Sequence, residues 1–576
     1  MKKLKLLITA ITVSMIATTA GAFACTGMYV GKAVSKEGTP LIARSEDQGT
    51  GAYNKLYKVQ PRTKKAGRYF RDTANGFKAK LPKLTYKFTY VRDSSDHNDG
   101  MYPATCTNEY GVAVVGTVST EVDPKYEKVD PTIEKSLREA TLPGLIACQV
   151  KTAKQAAELC AKLHDKYGSE EWNTLFFMDK KEAWIFENYG GHTYCAMKMP
   201  EDKVAVFGNQ CMIGAVDRND TKNYIFSKGK YDLFNKIDQA GLAVKENGQY
   251  NIAKSVSGNT RKEYSNMRTW EGHRVLAPNS EWVKGKEYSD KTFYPLFYKP
   301  EAKVSALQIM DLFRDRYEGT KYDMNKPENK SRRPIGVTKS SDIHIIQNFA
   351  NMPKEASNLQ WLCMGNAEHS VFVPAFSSIN KTDKSYNVDG AMYDARSAYW
   401  QFKQNETLAQ SDRANLSSGT KDFWKNQEKK QYASILKAVK KVNKAYKKSK
   451  KAGRKYVTKL ASKAIVKQLK NARVLYKALM YTTTRNDNDR VDRKVTFARP
   501  VNLKAAAKNA GFSYKKKKND NKVYLKKGGV TYRLQLKSKG VHKNGAYADD
   551  LIYPIFKDGK TIYAPANVAT SLNSMK

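Results

Sequence analysis

The chain has 576 residues, with 101 Lys and Arg against 56 Asp and Glu and a formal charge of +45. That length is enough for several domains with large cores. The seven cysteines form no CxxC pair and no zinc pattern, and no segment beyond the first 24 residues is long and apolar enough to cross a bilayer, which excludes a zinc module and a multi-span membrane protein.

The first 24 residues read as a signal peptide. Lys2, Lys3 and Lys5 precede an apolar stretch from Leu6 to about Ala20, and Ala22-Phe23-Ala24 places small residues where a signal peptidase cuts. Cleavage there makes Cys25 the N-terminus. One residue then carries a thiol, which needs a base, and an α-amine whose unperturbed pKa of ~7.7–8.0 suits that task. A lipoprotein signal would also cut before a cysteine, but it takes Leu and then Ala or Ser where this chain has Ala22 and Phe23. An uncleaved anchor is the remaining alternative.

Residues 25 to about 400 read as one large α/β unit. "CTGMYVGKAV" and "TPLIARSED" form a hairpin turning at Lys36-Glu37-Gly38, and strands are expected over 111–119, 174–179, 182–189 and 203–210. Helical spacing marks 136–149 and 152–168, with Ala156, Cys160 and Leu163 on one face. Hairpins joining neighbouring strands, with helices between the runs, predict layered sheets and helices rather than a doubly wound parallel sheet. Asp179 and Glu187 read as turn and sheet-rim residues, and Trp172, Trp184 and Phe186 as core. With Cys25 set aside, the six other cysteines are even in number and could pair. Cys148 and Cys160 are expected on or near one helix.

From about residue 405 the character changes. Sixteen Lys and Arg and no Asp or Glu lie between Gln431 and Met480, and Ile435, Val439, Val442 and Tyr446 give an amphipathic helix that breaks near Gly453 and resumes. The last part, from about residue 491, holds a hairpin candidate at Gly528-Gly529 and an Asp558-Gly559 turn leading into a helix. "DGKTIYAPANVATSLN" distantly resembles a small repeat module of exported Gram-positive surface proteins. An exported chain with this charge is expected to meet anionic cell-wall polymers rather than nucleic acid.

The hairpin returns "ARSED" beside Cys25, so Arg44 and Asp47 become candidates to organise the thiol and its amine. None of the seven histidines, from His97 to His542, has a catalytic context. "CTGMYVGKAVSKEGTPLIARSEDQG" resembles the opening of the dipeptidase A type family of N-terminal-nucleophile (Ntn) cysteine hydrolases. The resemblance continues through "TNEYGVAVVG", "FFMDKKEAWIFENYGGHTYCAMKMPEDKVAVFGNQ", "NMRTWEGHRVLAP", "LFRDRYEGTKYD" and "WLCMGNAEHSVFVPAF". It implies a four-layer αββα sandwich over residues 25–404, followed by a basic helical region at 405–490 and a small α+β module at 491–576.

By the same resemblance Cys25 is the nucleophile, and Arg44 and Asp47 organise its amine. Asn108 and Asn209 contribute to the oxyanion hole, Arg268 gives polar support, and no cofactor or metal is required. The substrates implied are short peptides, chiefly dipeptides, cleaved outside the cell. Ser45 and Gln210 depart from the family pattern at positions that bear on substrate preference. Two other readings stay open: an amidase acting on penicillin-type or bile-salt-type amides, and a non-catalytic surface lipoprotein anchored at Cys25.

Overall fold

The structure, a computed structural model, describes residues 25–48, 54–95, 102–257, 261–483, 496–517 and 519–575. The leader and His97 lie outside the described residues. The chain forms two compact units, the first built mainly from residues up to Gln360 and the second from Trp361–Ala375, Asn380–Val388 and Met392–Lys576.

In the first unit the expected hairpin forms. Strand β1 (Thr26–Val30) pairs antiparallel with strand β2 (Leu41–Asp47), with Gly27 opposite Arg44 and Thr26 opposite Ser45. Val204–Phe207 pairs on the free side of β1 and Ser340–Asn348 on the free side of β2, both antiparallel. A second, eight-stranded antiparallel sheet runs in the order Tyr224–Phe226, Tyr194–Lys198, Ala183–Asn188, Asn173–Met178, Ala113–Ser119, Thr105–Asn108, Phe88–Asp93, Lys55–Gln60.

Alternation along the second sheet serves two cores, because successive strand side chains point to opposite faces. Ala113, Val115, Phe176, Met178 and Ile185 share a core with Tyr29, Ile42, Ala205 and Phe207 of the first sheet. Val112, Val114, Leu175, Phe177, Trp184 and Phe186 share another with helices Leu142–Ala147 and Ala153–Tyr167. The second of these helices starts where Thr152 caps it, its hydroxyl accepting from the amide of Gln155 at 3.1 Å. The first is shorter than its spacing predicts, since Pro143 can sit only in an opening turn. Glu187 is not a rim residue; it is fully buried, accepting from the amides of Met212 at 2.8 Å and Ile213 at 3.2 Å. All seven cysteines are free thiols, Cys148 capping one helix and Cys160 lying on the next.

The second unit is led by helices Ala398–Ser411, Arg413–Lys448 and Lys450–Thr483. The division expected at 404 and 405 falls inside the first of them. The unit reaches back to Trp361 because the long helix holds that earlier segment. Trp424 Nε1 donates to His369 O at 2.7 Å, and the Glu428 carboxylate accepts from the Phe372 amide at 2.9 Å. The helical break lies at Ser449, which is extended at φ −172° and ψ 157°. Gly453 sits inside the following helix, where a Cβ would come within 2.5 Å of the Tyr446 ring.

The C-terminal part holds a five-stranded and a three-stranded antiparallel sheet around a core that includes Leu503, Val523, Leu534, Ile555 and Leu572. The turns at Gly528-Gly529 and Asp558-Gly559 are present as expected.

At Gly27 the first sheet packs tightly against the second. A Cβ built there falls 2.5 Å from Thr117 Cγ2 and 2.6 Å from Phe207 Cζ. Gly27→Val should therefore cost about 1–3 kcal/mol by overpacking, read as a lowered urea midpoint.

Candidate active site

The hairpin places the Cys25 thiol against Arg44, whose Nη2 stands 3.3 Å from Sγ. Both residues are fully buried. A buried guanidinium must find acceptors on every side. Arg44 donates to Glu46 through Nη1 at 3.1 Å, to the Tyr102 hydroxyl through Nη2 at 3.3 Å and to the Thr117 carbonyl through Nε at 3.2 Å, and Nη2 forms an ion pair with Glu139 at 2.9 Å. Thr117 is the extra residue of a β-bulge between Gly116 and Val118. Bulges re-aim backbone groups near sites, and this one supplies a carbonyl to Arg44.

Behind Arg44 the charges continue. Lys55 bridges Glu46 and Asp93 and lies 3.6 Å from Asp342, which in turn meets His344 Nδ1 at 3.1 Å. Burial drives the Glu46 carboxyl up to about 8, offset only in part by Lys55, with Asp342 and Asp93 adding to the rise. Against the burial that would raise it, Lys55 and His344 hold Asp342 low. Burial pushes the Cys25 thiol up to about 12 despite the pull of Arg44. In the full chain the thiol is protonated at neutral pH.

Arg44 and Asp47 do not pair. They are three residues apart on one strand and face opposite sides. Asp47 instead accepts from Ser45 Oγ at 2.9 Å and Ser340 Oγ at 2.5 Å and forms an ion pair with Arg333. The cation beside Asp47 is thus an arginine almost 300 positions away in the chain, and Asp47 itself lies opposite a second bulge between Ser340 and Asp342.

Arg268, on the helix Glu263–Leu276, ties the site together. Its Nη1 donates to the Cys25 carbonyl at 2.5 Å and to Thr26 Oγ1 at 3.0 Å, and its Nη2 to Asn209 Oδ1 at 2.9 Å. Gly208 makes room for it, since a Cβ there would lie 2.5 Å from Nη2. Burial, followed by the nearby Arg333, lowers Arg268 to about 9, still cationic at neutral pH. Asn209 also donates from Nδ2 to Ser119 O at 3.0 Å, so both ends of its amide are oriented.

Asn108 stands elsewhere in function. Its Nδ2 donates to the carbonyls of Ala147 and Val150, both at 2.9 Å, and its Oδ1 accepts from the amides of Tyr110 at 2.9 Å and Val112 at 3.1 Å. Both amide hydrogens are spent on closing a turn and a helix end, which corrects the expectation that this side chain donates to an oxyanion. His344, read from sequence as ordinary, belongs to the buried charge network. Glu46, Lys55, Tyr102, Glu139 and Arg333 were not singled out, since each is a common residue type with no local motif. Among the described residues no group of three or more His, Cys, Asp or Glu side chains is arranged to hold a metal ion.

The two asparagines should separate in experiment. Asn108→Ala leaves four main-chain groups, three of them buried, without their partner and should lower unfolding free energy by about 2–4 kcal/mol. A denaturant titration checks this, and an unchanged midpoint would contradict the assigned role.

The sequence pattern of Peptidase family C69 matches residues 24–426. The probable dipeptidase B of Streptococcus pyogenes serotype M1 is 29% identical over 436 residues, covering 73% of this chain and 85% of the relative. The probable dipeptidase of Latilactobacillus sakei is 28% identical over 408 residues, covering 70% and 84%. The probable dipeptidase A of Streptococcus pyogenes serotype M1 is 26% identical over 374 residues, covering 63% and 77%. With most of its length matched, and with Cys25, Arg44, Asp47, Asn209 and Arg268 inside the match, the chain belongs to peptidase family C69.

Proposed function

We propose that this peptidase is an exported cysteine dipeptidase of the Ntn type, with the first unit read as an αββα sandwich. The observation that carries the reading is the double hold on Cys25: Arg44 on its sulfur and Arg268 on its carbonyl, with Asn209 on the same guanidinium. Once residues 1–24 are removed, the Cys25 α-amine takes the thiol proton as sulfur attacks the peptide carbonyl. The tetrahedral oxyanion collapses, the amine returns the proton to the leaving nitrogen, and a thioester remains. Water, deprotonated by the same amine, then cleaves the thioester and regenerates the thiol.

Arg44 favours the thiolate by charge. Asn209, oriented by Arg268 and Ser119, is the side-chain oxyanion donor in this scheme, a role whose loss typically costs ~10²–10³ in rate. The substrates are short peptides with a free amine and carboxylate.

The test is the N-terminal sequence and intact mass of the exported protein, followed by hydrolysis assays on dipeptides, penicillin-type amides and bile-salt-type amides. A start at Cys25 with dipeptides cleaved fastest is expected, and Cys25→Ser should lose on the order of 10³-fold or more of that activity. A diacylglycerol mass increment would replace the enzyme by a lipid-anchored binding protein. Faster cleavage of the acyl amides would move the chain to an amidase.

We propose further that the basic helix pair holds the enzyme on anionic wall polymers. Lys437, Lys441, Lys444, Lys448, Lys455 and Lys459 are all exposed. Exposed like charges with no acidic side chain among them attract a polyanion in a salt-dependent way more than they stabilise the fold. Replacing these six by Gln should lower the salt concentration that elutes the protein from isolated cell walls. Unchanged elution would reject the idea.

A further inference from the structure

The first unit holds a cavity of about 820 Å³ that none of Cys25, Arg44, Asp47, Asn209 or Arg268 lines. That volume is within the range of small-molecule sites, which are mostly apolar with a few polar groups set among the walls. Trp282, Phe293, Tyr294 and Phe297 line it with aromatic side chains, and Met199 and Met212 line it as well.

Arg261 projects into this setting. It is only 5% exposed, and its guanidinium carbon lies 4.1 Å from the Phe293 ring centroid. Its single side-chain hydrogen bond among the described residues runs from Nη1 to the Cys211 carbonyl at 2.8 Å. Burial lowers it to about 10, so the charge persists at neutral pH.

Of the acidic side chains lining the cavity, Glu201 is exposed to solvent, and Asp220 and Glu246 are occupied elsewhere, as is the neighbouring Glu187. Glu187 accepts from Met212 N, Ile213 N and the Tyr189 hydroxyl, and Glu246 is paired with Lys254 at 2.5 Å. Asp220 caps its own turn through the amides of Lys222 and Asn223. A guanidinium has five donors in a planar fork that matches a carboxylate. Among the described residues only Nη1 of that fork is engaged, beside the Phe293 ring.

We propose that this cavity binds a small organic carboxylate carrying an aromatic or aliphatic group. Arg261 takes the carboxylate, while Phe293 and Trp282 pack the apolar part. Amino acids and short peptides, which a peptidase releases and consumes, fall in this class, but the site stands on its own residues and does not depend on Cys25 as nucleophile.

The probe is 3-phenylpropionate, compared with its neutral isostere 3-phenylpropionamide, titrated into the full chain by calorimetry with tryptophan fluorescence as a second readout. The acid should bind at one site and the amide at least about tenfold more weakly, the difference a charge-assisted fork makes. Arg261→Met should lose the preference for the acid, Phe293→Ala should weaken both probes alike, and Cys25→Ala should bind as the unaltered chain does.

Equal affinity for acid and amide overturns the proposal, and that comparison needs no variant to fold. Unchanged binding in Phe293→Ala also overturns it, and loss of binding in Cys25→Ala would assign the probe to the catalytic site instead.

Discussion

Arg44 carries a charge that water does not reach, and the elements around it are arranged as its solvent. Its own strand, β2, ends in Arg-Ser-Glu-Asp, with every residue buried, so both faces of β2 bring ionisable groups into the interior at once. One face needs cations and acids in balance, the other a partner for Asp47. The eight-stranded sheet answers the first need with Lys55, Asp93 and the Thr117 carbonyl, and Ser340–Asn348 answers both with Asp342 on one face and Ser340 on the other. Two bulges, at Thr117 and Ser341, lie where these demands meet.

Such a network is a poor source of stability, because desolvation offsets most of the attraction between buried ions. What it provides is position. Neither Arg44 nor Lys55 can change rotamer without abandoning a buried carboxylate, so the guanidinium nitrogen beside the sulfur is fixed to within the tolerance of several hydrogen bonds. Burial raises the Glu46 carboxyl, Asp342 and Asp93 add to the rise, and Lys55 and Arg44 offset it only in part.

Local pattern made the hairpin, the strands of the second sheet and the helix after Thr152 readable, because alternation, turn residues and a cap all act within a few positions. Cys25 and Arg268 were readable through resemblance, although nothing in "NMRTWEG" marks its arginine as the one that grips the Cys25 carbonyl. Glu46, Lys55, Asp342 and Arg333 meet only through strand pairing between distant parts of the chain, and no spacing rule reaches that far. Asn108 misled because an asparagine before a Glu-Tyr-Gly turn can serve an oxyanion or the turn itself, and only the positions of Ala147 and Val150 decide. Ser449 was hidden among lysines, while Gly453 looked like a breaker and is instead a seat for the Tyr446 ring.

The hold on Cys25 is one-sided. Sulfur is met by Arg44 and the carbonyl by Arg268, and both attachments lie beyond the residue's own nitrogen along the chain. The bond joining Cys25 to whatever comes before it takes no part in either. A chain cut at that bond keeps its first residue where it already stands, anchored from behind, with only the nitrogen released. In the proposed scheme maturation then needs no refolding, because both holds on Cys25 are in place before the cut is made.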